Sequence, residues 1–360
     1  MRRLSSAVIL VSVLAATVVI AQQPPVFTPN GALPVLDSYL EAFRRQVGIP
    51  GLSAAVVRDG VIIWEKGYGY QNTASRIPAS PDTPYLVGDL SGTLAAVMLL
   101  QCSERRQLSL DEPIRKYGGD LPEASVTIAQ VLSHTTPGRE EPFLYSPERY
   151  EQLTPVVEHC GEARSYRKNV AALLDYAAMQ DSVPGTDLWH SDTVLREGEF
   201  DGDTIDRYRR VLDRMALPYR VDTRLRAEKT ELPPITMSAA NGLVSTVRDL
   251  ARLDAMLDST NPILKQETLD TAWNPFTIPA TGFVSPMGLG WFVQSHRNQR
   301  VVWHFGNVGG AYSSLLLKLP DQKITFILLA NSDGLSATFQ LPAGNVTKSL
   351  FATLFLRLVT

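Results

Sequence analysis

Between residues 36 and 47, Leu36, Tyr39, Leu40, Phe43 and Val47 recur at three- and four-residue steps, which predicts a helix. Apolar runs at 52–57 and 61–64 flank Asp59 and Gly60, the pattern of a β-hairpin closed by a tight turn. Helical periodicity returns over 90–107, briefly over 127–133, and prevails over 147–180 and 203–216. Thr246 opens a further helix reaching Leu257. It offers a hydroxyl cap, acidic Asp249 three residues on, and a stripe of Leu250, Leu253 and Leu257. Four short apolar runs then follow, at 288–293, 301–303, 313–318 and 324–329. They read as strands, some parted by turns such as Pro320 and Asp321. Residues 350–358 form a last apolar helix, too brief for a membrane span and expected to pack on the sheet.

Strands at both ends with helices between them predict one sheet drawn from the two extremes of the chain. The fold class is α/β (α+β): an antiparallel sheet flanked by helices, plus an all-helical lobe. The sheet lobe is expected from about 35–80 and 265–358, with the helical lobe inserted over about 81–264. There is no internal repeat and no low-complexity tract.

The chain has 360 residues, 44% hydrophobic and 20% charged, with a net charge of −3. That balance gives no electrostatic case for nucleic acid or an anionic membrane. The locally basic stretch from Arg207 to Arg226 is broken by Asp213 and Asp222 and reads as a solvated face. Residues 1–21 carry Arg2 and Arg3, an apolar segment, and a small-residue site ending at Ala21, which predicts a cleaved secretory signal. Residues 22–34 read as a Pro-rich leader, and the domain proper as 35–355. The expected location is periplasmic or secreted, with no stable membrane span after cleavage. An oxidising compartment permits Cys102 and Cys160 to pair. Cys102 on an apolar helix face also reads as a small buried hydrophobe, and the sequence leaves the two readings open. The five histidines show no metal-ligand spacing, and no phosphate-cradling or dinucleotide motif is present, so neither metal nor cofactor is expected. Asn345 and Thr347 match a glycosylation sequon, a short pattern that carries little weight alone.

Nine stretches occur in the order found in serine β-lactamases and D-alanyl-D-alanine peptidases. They are Gly67 and Gly69 after the hairpin, the helix opening at Asp89, residues 107–113, Ser133-His134, Tyr145-Ser146, residues 241–250, Gly288 to Trp291, Trp303 to Gly306, and Asn331. The chain resembles that family, its class C-like branch above all. The resemblance implies an active site in the cleft between a sheet lobe and a helical lobe.

In that family the active-site helix opens with Ser-x-x-Lys, which sets an amine beside the attacking hydroxyl. Here the resemblance puts Asp89 in the serine slot and Gly92 in the lysine slot. Asp89 reads as a helix N-cap, its carboxylate accepting from backbone N–H groups. Ser91 is an alternative nucleophile, although two helical steps turn it about 200° from position 89. Tyr145 fits the family's tyrosine slot and equally reads as a packed aromatic. The asparagine slot two residues on is Pro147, and Ser146-Pro147 is also a normal helix start. His304 and Gly306 match the family's His-x-Gly strand, His304 also reading as a satisfied half-buried histidine. Gly309 and Gly310 beyond them would let backbone approach a ligand. His134 reads as structural.

With serine, lysine and asparagine all replaced, the expectation is a non-catalytic binder of a peptidoglycan-like peptide or a protein partner. The competing expectation is a hydrolase with altered machinery, using Asp89 or Ser91 with Tyr145 and His304 as acid and base.

Overall fold

The structure is a computed structural model and describes residues 29–136, 138–161, 164–190, 199–259 and 262–360. The expected signal at 1–21 lies outside these residues. So does the leader up to residue 28.

Helix α1 (Pro29–Gln46) begins within the segment read as leader. Strands β1 (Gly51–Arg58) and β2 (Val61–Asn72) form the expected hairpin. Both turn residues are left-handed, with φ of 51° at Asp59 and 76° at Gly60, as a tight hairpin turn requires. β3 (Ile77–Pro78) extends β2 at the sheet edge. β4 (Tyr85–Leu86), β5 (Val183–Pro184) and β8 (Leu243–Ser245) make a small sheet with β8 at its centre. β6 (Tyr219–Val221) and β7 (Ala227–Lys229) pair separately. β9 (Phe292–His296), β10 (Gln299–Val308), β11 (Tyr312–Leu319) and β12 (Ile324–Ala330) run antiparallel near the C-terminus. The main sheet has the order β3-β2-β1-β12-β11-β10-β9. β1 pairs with β12 from Leu52↔Ala330 to Arg58↔Ile324, so the two ends of the chain do share one sheet. Two strand boundaries differ from expectation: residues 288–291 stay outside β9, and β10 runs from 299 to 308 rather than 301 to 303.

The central helices are α2 (Gly92–Glu104), α3 (Ile128–Leu132), α4 (Pro147–Glu151), α5 (Thr154–Cys160), α6 (Tyr166–Tyr176), α7 (Gly202–Leu212), α8 (Val247–Leu257) and α9 (Gln266–Ala272). α10 (Leu350–Val359) closes the chain against α1. Local sequence accounts for several starts. Thr246 Oγ1 accepts from Asp249 N at 3.1 Å, and Thr127 closes a full capping box with Gln130 at the head of α3.

The sheet is buried on both faces, which is why β1 and β12 read as unbroken apolar runs rather than alternating ones. One face, with Leu52, Ala54, Val56, Leu315 and Phe326, packs under α1 and α10. The other, with Ala55, Val57, Ile327 and Leu329, packs on the helical side. Cys102 on α2 and Cys160 on α5 form a disulfide with Cα atoms 6.1 Å apart. Cys102 is thus not the isolated small hydrophobe its helix face suggested. Among the described residues no helix is long and apolar enough to cross a membrane.

Candidate functional site

The chain enters α2 through a 3-10 turn, Gly88–Ser91, laid across β10 and β11. Ser314 Oγ donates to Val87 O at 2.7 Å and fastens the turn to the sheet. A Cβ on Gly306 would fall 1.8 Å from Val87 O, so only glycine lets β10 pass beneath. Gly306 is therefore a packing requirement of the site.

Asp89 sits in the middle of that turn, half-buried. It does not act as an N-cap. The 3-10 turn begins one residue earlier at Gly88, the cap positions fall at Val87 and Ser91, and neither makes a side-chain capping bond. The carboxylate faces the cleft instead, where Tyr145 Oη donates to Asp89 Oδ2 over a long 3.3 Å. Burial pushes the Asp89 carboxyl up to about 7. The Tyr145 bond opposes this and the charge of Glu148 adds to it.

Ser91 is fully buried. Its Oγ donates to Gly88 O at 2.7 Å and accepts from Leu243 N at 3.2 Å. The hydroxyl knits the turn to β8, and Ser91 is not among the residues lining the cavity beside Asp89.

The space beside Gly92 is filled by Tyr150, a residue the sequence reading passed over. A Cβ at position 92 would meet Tyr150 Cε1 at 3.0 Å, and Tyr150 Oη donates to Gly92 O at 3.2 Å. Tyr150 reaches this place because Ser146 caps α4, accepting from Arg149 N at 3.2 Å, and Pro147 begins it. That start was legible. The vacancy left by a side-chain-free position 92 was the signal that a bulky neighbour belonged there.

His134 lies between the tyrosines, its ring 4.6 Å from Tyr145 and 5.1 Å from Tyr150 in stacked geometry. Its Nδ1 accepts from Ser146 N at 3.0 Å, which leaves the proton on Nε2. Burial, then the neighbouring His304, pull its pKa down to about 3. His304 has the opposite tautomer. Nδ1–H donates to Phe305 O at 2.7 Å, leaving the Nε2 lone pair free. Burial lowers its pKa to about 4, against the pull of the Phe305 bond. Both rings are therefore neutral imidazoles at pH 7.

Asp89, Gly92, His134, Pro147, Tyr150, Ala240 and His304 line a cavity of about 10 Å³, roughly the room one water needs. Of the expected site residues, Asp89, Gly92, Pro147 and His304 converge here. Tyr145 stands behind the lining, packed on His134, Phe292 and Phe305, with its hydroxyl on Asp89. Gly309 and Gly310 are not in the lining. They form the β10–β11 turn, where Gly310 N donates to Asp333 Oδ2 at 2.9 Å and Gly310 O accepts from Thr230 Oγ1 at 3.1 Å. Among the described residues no group of three or more His, Cys, Asp or Glu is placed to hold a metal ion.

A two-faced antiparallel sheet with a helical side and a cleft at the head of α2 defines a β-lactamase/transpeptidase-like protein. The chain belongs to the Beta-lactamase family, whose profile matches residues 36–346. It is 32% identical over 102 residues to the human serine beta-lactamase-like protein LACTB, mitochondrial, covering 26% of this chain and 19% of that one. It is 27% identical over 115 residues to Protein flp of Staphylococcus aureus (strain NCTC 8325 / PS 47), covering 30% of this chain and 23% of the relative. The matches thus span about a fifth of the length of these relatives. In fold it is similar to the octameric penicillin-binding protein homologue from Pyrococcus abyssi, with TM-score 0.70 and 21% identity over 90% of this chain and 77% of that one. It is also similar to a class C beta lactamase from Rhodobacter sphaeroides, with TM-score 0.64 and 16% identity over 90% and 99%. At these identities the likeness is one of fold.

Proposed function

We propose that this chain is a non-acylating member of its family, an exported protein that binds a peptide-like ligand or a protein partner in the cleft. The observation that carries this reading is the occupied lysine slot. Position 92 has no amine, and the volume an amine would need is held by the Tyr150 ring. Asp89 cannot stand in for the serine. Carboxylate attack on an amide yields an anhydride, a far better leaving group than the amine just expelled, so the step reverses. The Cys102–Cys160 disulfide supports export, since such bonds persist in oxidising compartments.

The test is incubation with a fluorescent penicillin and a chromogenic cephalosporin. No covalent label and no turnover are expected. A label lost in Asp89→Ala or Ser91→Ala would overturn the reading. Asp89→Ser with Gly92→Lys should also stay unlabelled unless Tyr150→Ala is added to clear room for the amine.

One observation favours a second reading, a hydrolase with altered machinery. Asp89 titrates near 7 in the same cavity as the free Nε2 of His304. Hydrolysis of an activated ester that disappears in Asp89→Asn would favour it.

A further inference from the structure

The buried acids of this fold come with cations, and Asp89 does not. Asp187 pairs with Arg167, Asp249 with Arg252, and Asp254 with Lys318 at 2.9 Å. Around Asp89 the neighbours are Tyr145, the neutral imidazoles of His134 and His304, Tyr150, and one further acid, Glu148. Arg149, on the same helix as Glu148, is turned to Glu123 at 2.9 Å. Among the described residues the one hydrogen bond to the Asp89 carboxylate is the long one from Tyr145 to Oδ2, Oδ1 has no donor, and Asp89 lines the cavity. The free Nε2 lone pair of His304 belongs to the same lining. A carboxylate oxygen and an imidazole lone pair, with no cation among the lining residues, give the cavity two acceptors, and His134 Nε2–H is the one ring donor beside them. A desolvated carboxylate in that setting gains most from a partner that brings both positive charge and N–H donors.

The size of the cavity narrows the class. About 10 Å³ admits one small head group. A primary ammonium is of that order, whereas a guanidinium or a quaternary ammonium is not.

We infer that the cavity floored by Asp89 binds a primary ammonium carried on a slender chain, held by the Asp89 carboxylate and His304 Nε2. This rests on the non-acylating reading and names the ligand chemistry of the same cleft. Two sources supply such a group: a lysine-type side chain, or the free N-terminus of a peptide. Binding also has a pH signature. Ammonium binding needs ionised Asp89, whose carboxyl titrates near 7, while His134 and His304 stay neutral down to about 4 and Tyr145 and Tyr150 stay protonated. Affinity should therefore rise about tenfold from pH 6 to pH 8, following the ionised fraction of Asp89.

The experiment titrates the full chain with n-butylamine, butyrate and tetramethylammonium, read by calorimetry and by thermal shift. Saturable binding of n-butylamine alone is expected, weakened at least tenfold in Asp89→Asn. Equal binding of butyrate or tetramethylammonium, or unchanged amine binding in Asp89→Asn, overturns the inference. If that variant does not fold, the pH series on the unaltered chain decides: a flat profile overturns the inference and a tenfold rise supports it. Nα-acetyl-lysine methylamide and Ala-Ala amide then distinguish a side-chain ammonium from a chain terminus. A penicillin label would overturn the non-acylating reading whatever the amine does, whereas an unlabelled chain that ignores the amine overturns this inference alone.

Discussion

The strand wall of the cleft and its helical wall treat their glycines differently. At Gly306 a Cβ would strike backbone, the Val87 carbonyl, at 1.8 Å. At Gly92 its one tight contact would be the edge of a side chain, the Tyr150 ring, at 3.0 Å, with the Ala239 carbonyl at an ordinary 3.6 Å. The strand wall is set by two backbones in contact, with β10 held in register to β11 over seven residue pairs. The helical wall is set by how side chains fill a gap and by the covalent tie between α2 and α5. Chemistry can be rewritten on the second wall without disturbing the first. Under the proposed reading the family slots divide the same way: His304 and Gly306 would keep the family pattern, and Asp89 and Gly92 would depart from it.

The sharpest way to break the helical wall is to remove its tie. The disulfide closes a loop of 58 residues, and in the chain-entropy account it stabilises the fold by about 4 kcal/mol. Cys102→Ser with Cys160→Ser should lower denaturant-measured stability by on the order of that amount. A loss below about 1 kcal/mol would mean that packing alone holds α2.

The glycine contrast gives the next test. Gly306→Ala should cost on the order of 3 kcal/mol, because a backbone carbonyl cannot rotate aside. Gly92→Ala should stay within about 1 kcal/mol of the unaltered chain, since the helix-propensity gain offsets a small shift of Tyr150. Similar thermal shifts for the two would erase the distinction between the walls.

Much of this fold was legible because its signals are local. The Asp59-Gly60 turn, the Thr246 cap and the Ser146-Pro147 helix start each depend on a few adjacent residues. The two-ended sheet followed from where the apolar runs fall. The site was legible only in part. Asp89, Gly92, Pro147 and His304 do meet, but Ser91 is spent on Gly88 and Leu243, and Gly310 on Asp333 and Thr230. Apart from the Ser91–Gly88 bond, those commitments join residues 23 to 152 positions apart, which no local pattern reveals. Tyr150 was missed for the same reason. Its role comes from a gap 58 residues away in the chain.

Asp89 itself provides the finest test, through its proton. The carboxyl is raised from 3.8 to about 7 in the folded chain, so between those pH values the folded state binds the extra proton. Its contribution to stability is fully present below about pH 4, declines as pH rises toward 7, and is absent above. His134 and His304 act in the opposite sense. Their folded pKa values, about 3 and about 4, lie below the ordinary 6.5, so they destabilise the fold as pH falls below that value. Over pH 4 to 6.5 the two effects oppose each other in the unaltered chain, and a raw stability profile would blur them. Asp89→Asn keeps the shape and an acceptor for Tyr145 but cannot ionise. The stability difference between this variant and the unaltered chain therefore isolates Asp89. It should start near a constant offset at pH 4 and grow in favour of the variant by on the order of 2 kcal/mol above pH 7, about half the value for complete burial because Asp89 is partly exposed. The variant alone should lose stability steadily below pH 6.5 as the imidazoles are forced to take protons. Chemical denaturation at five pH values between 4 and 8 measures both trends. A difference that stays flat across that range would mean Asp89 is ionised throughout and solvated well enough to need no partner, and the helical wall would then carry no unsatisfied charge.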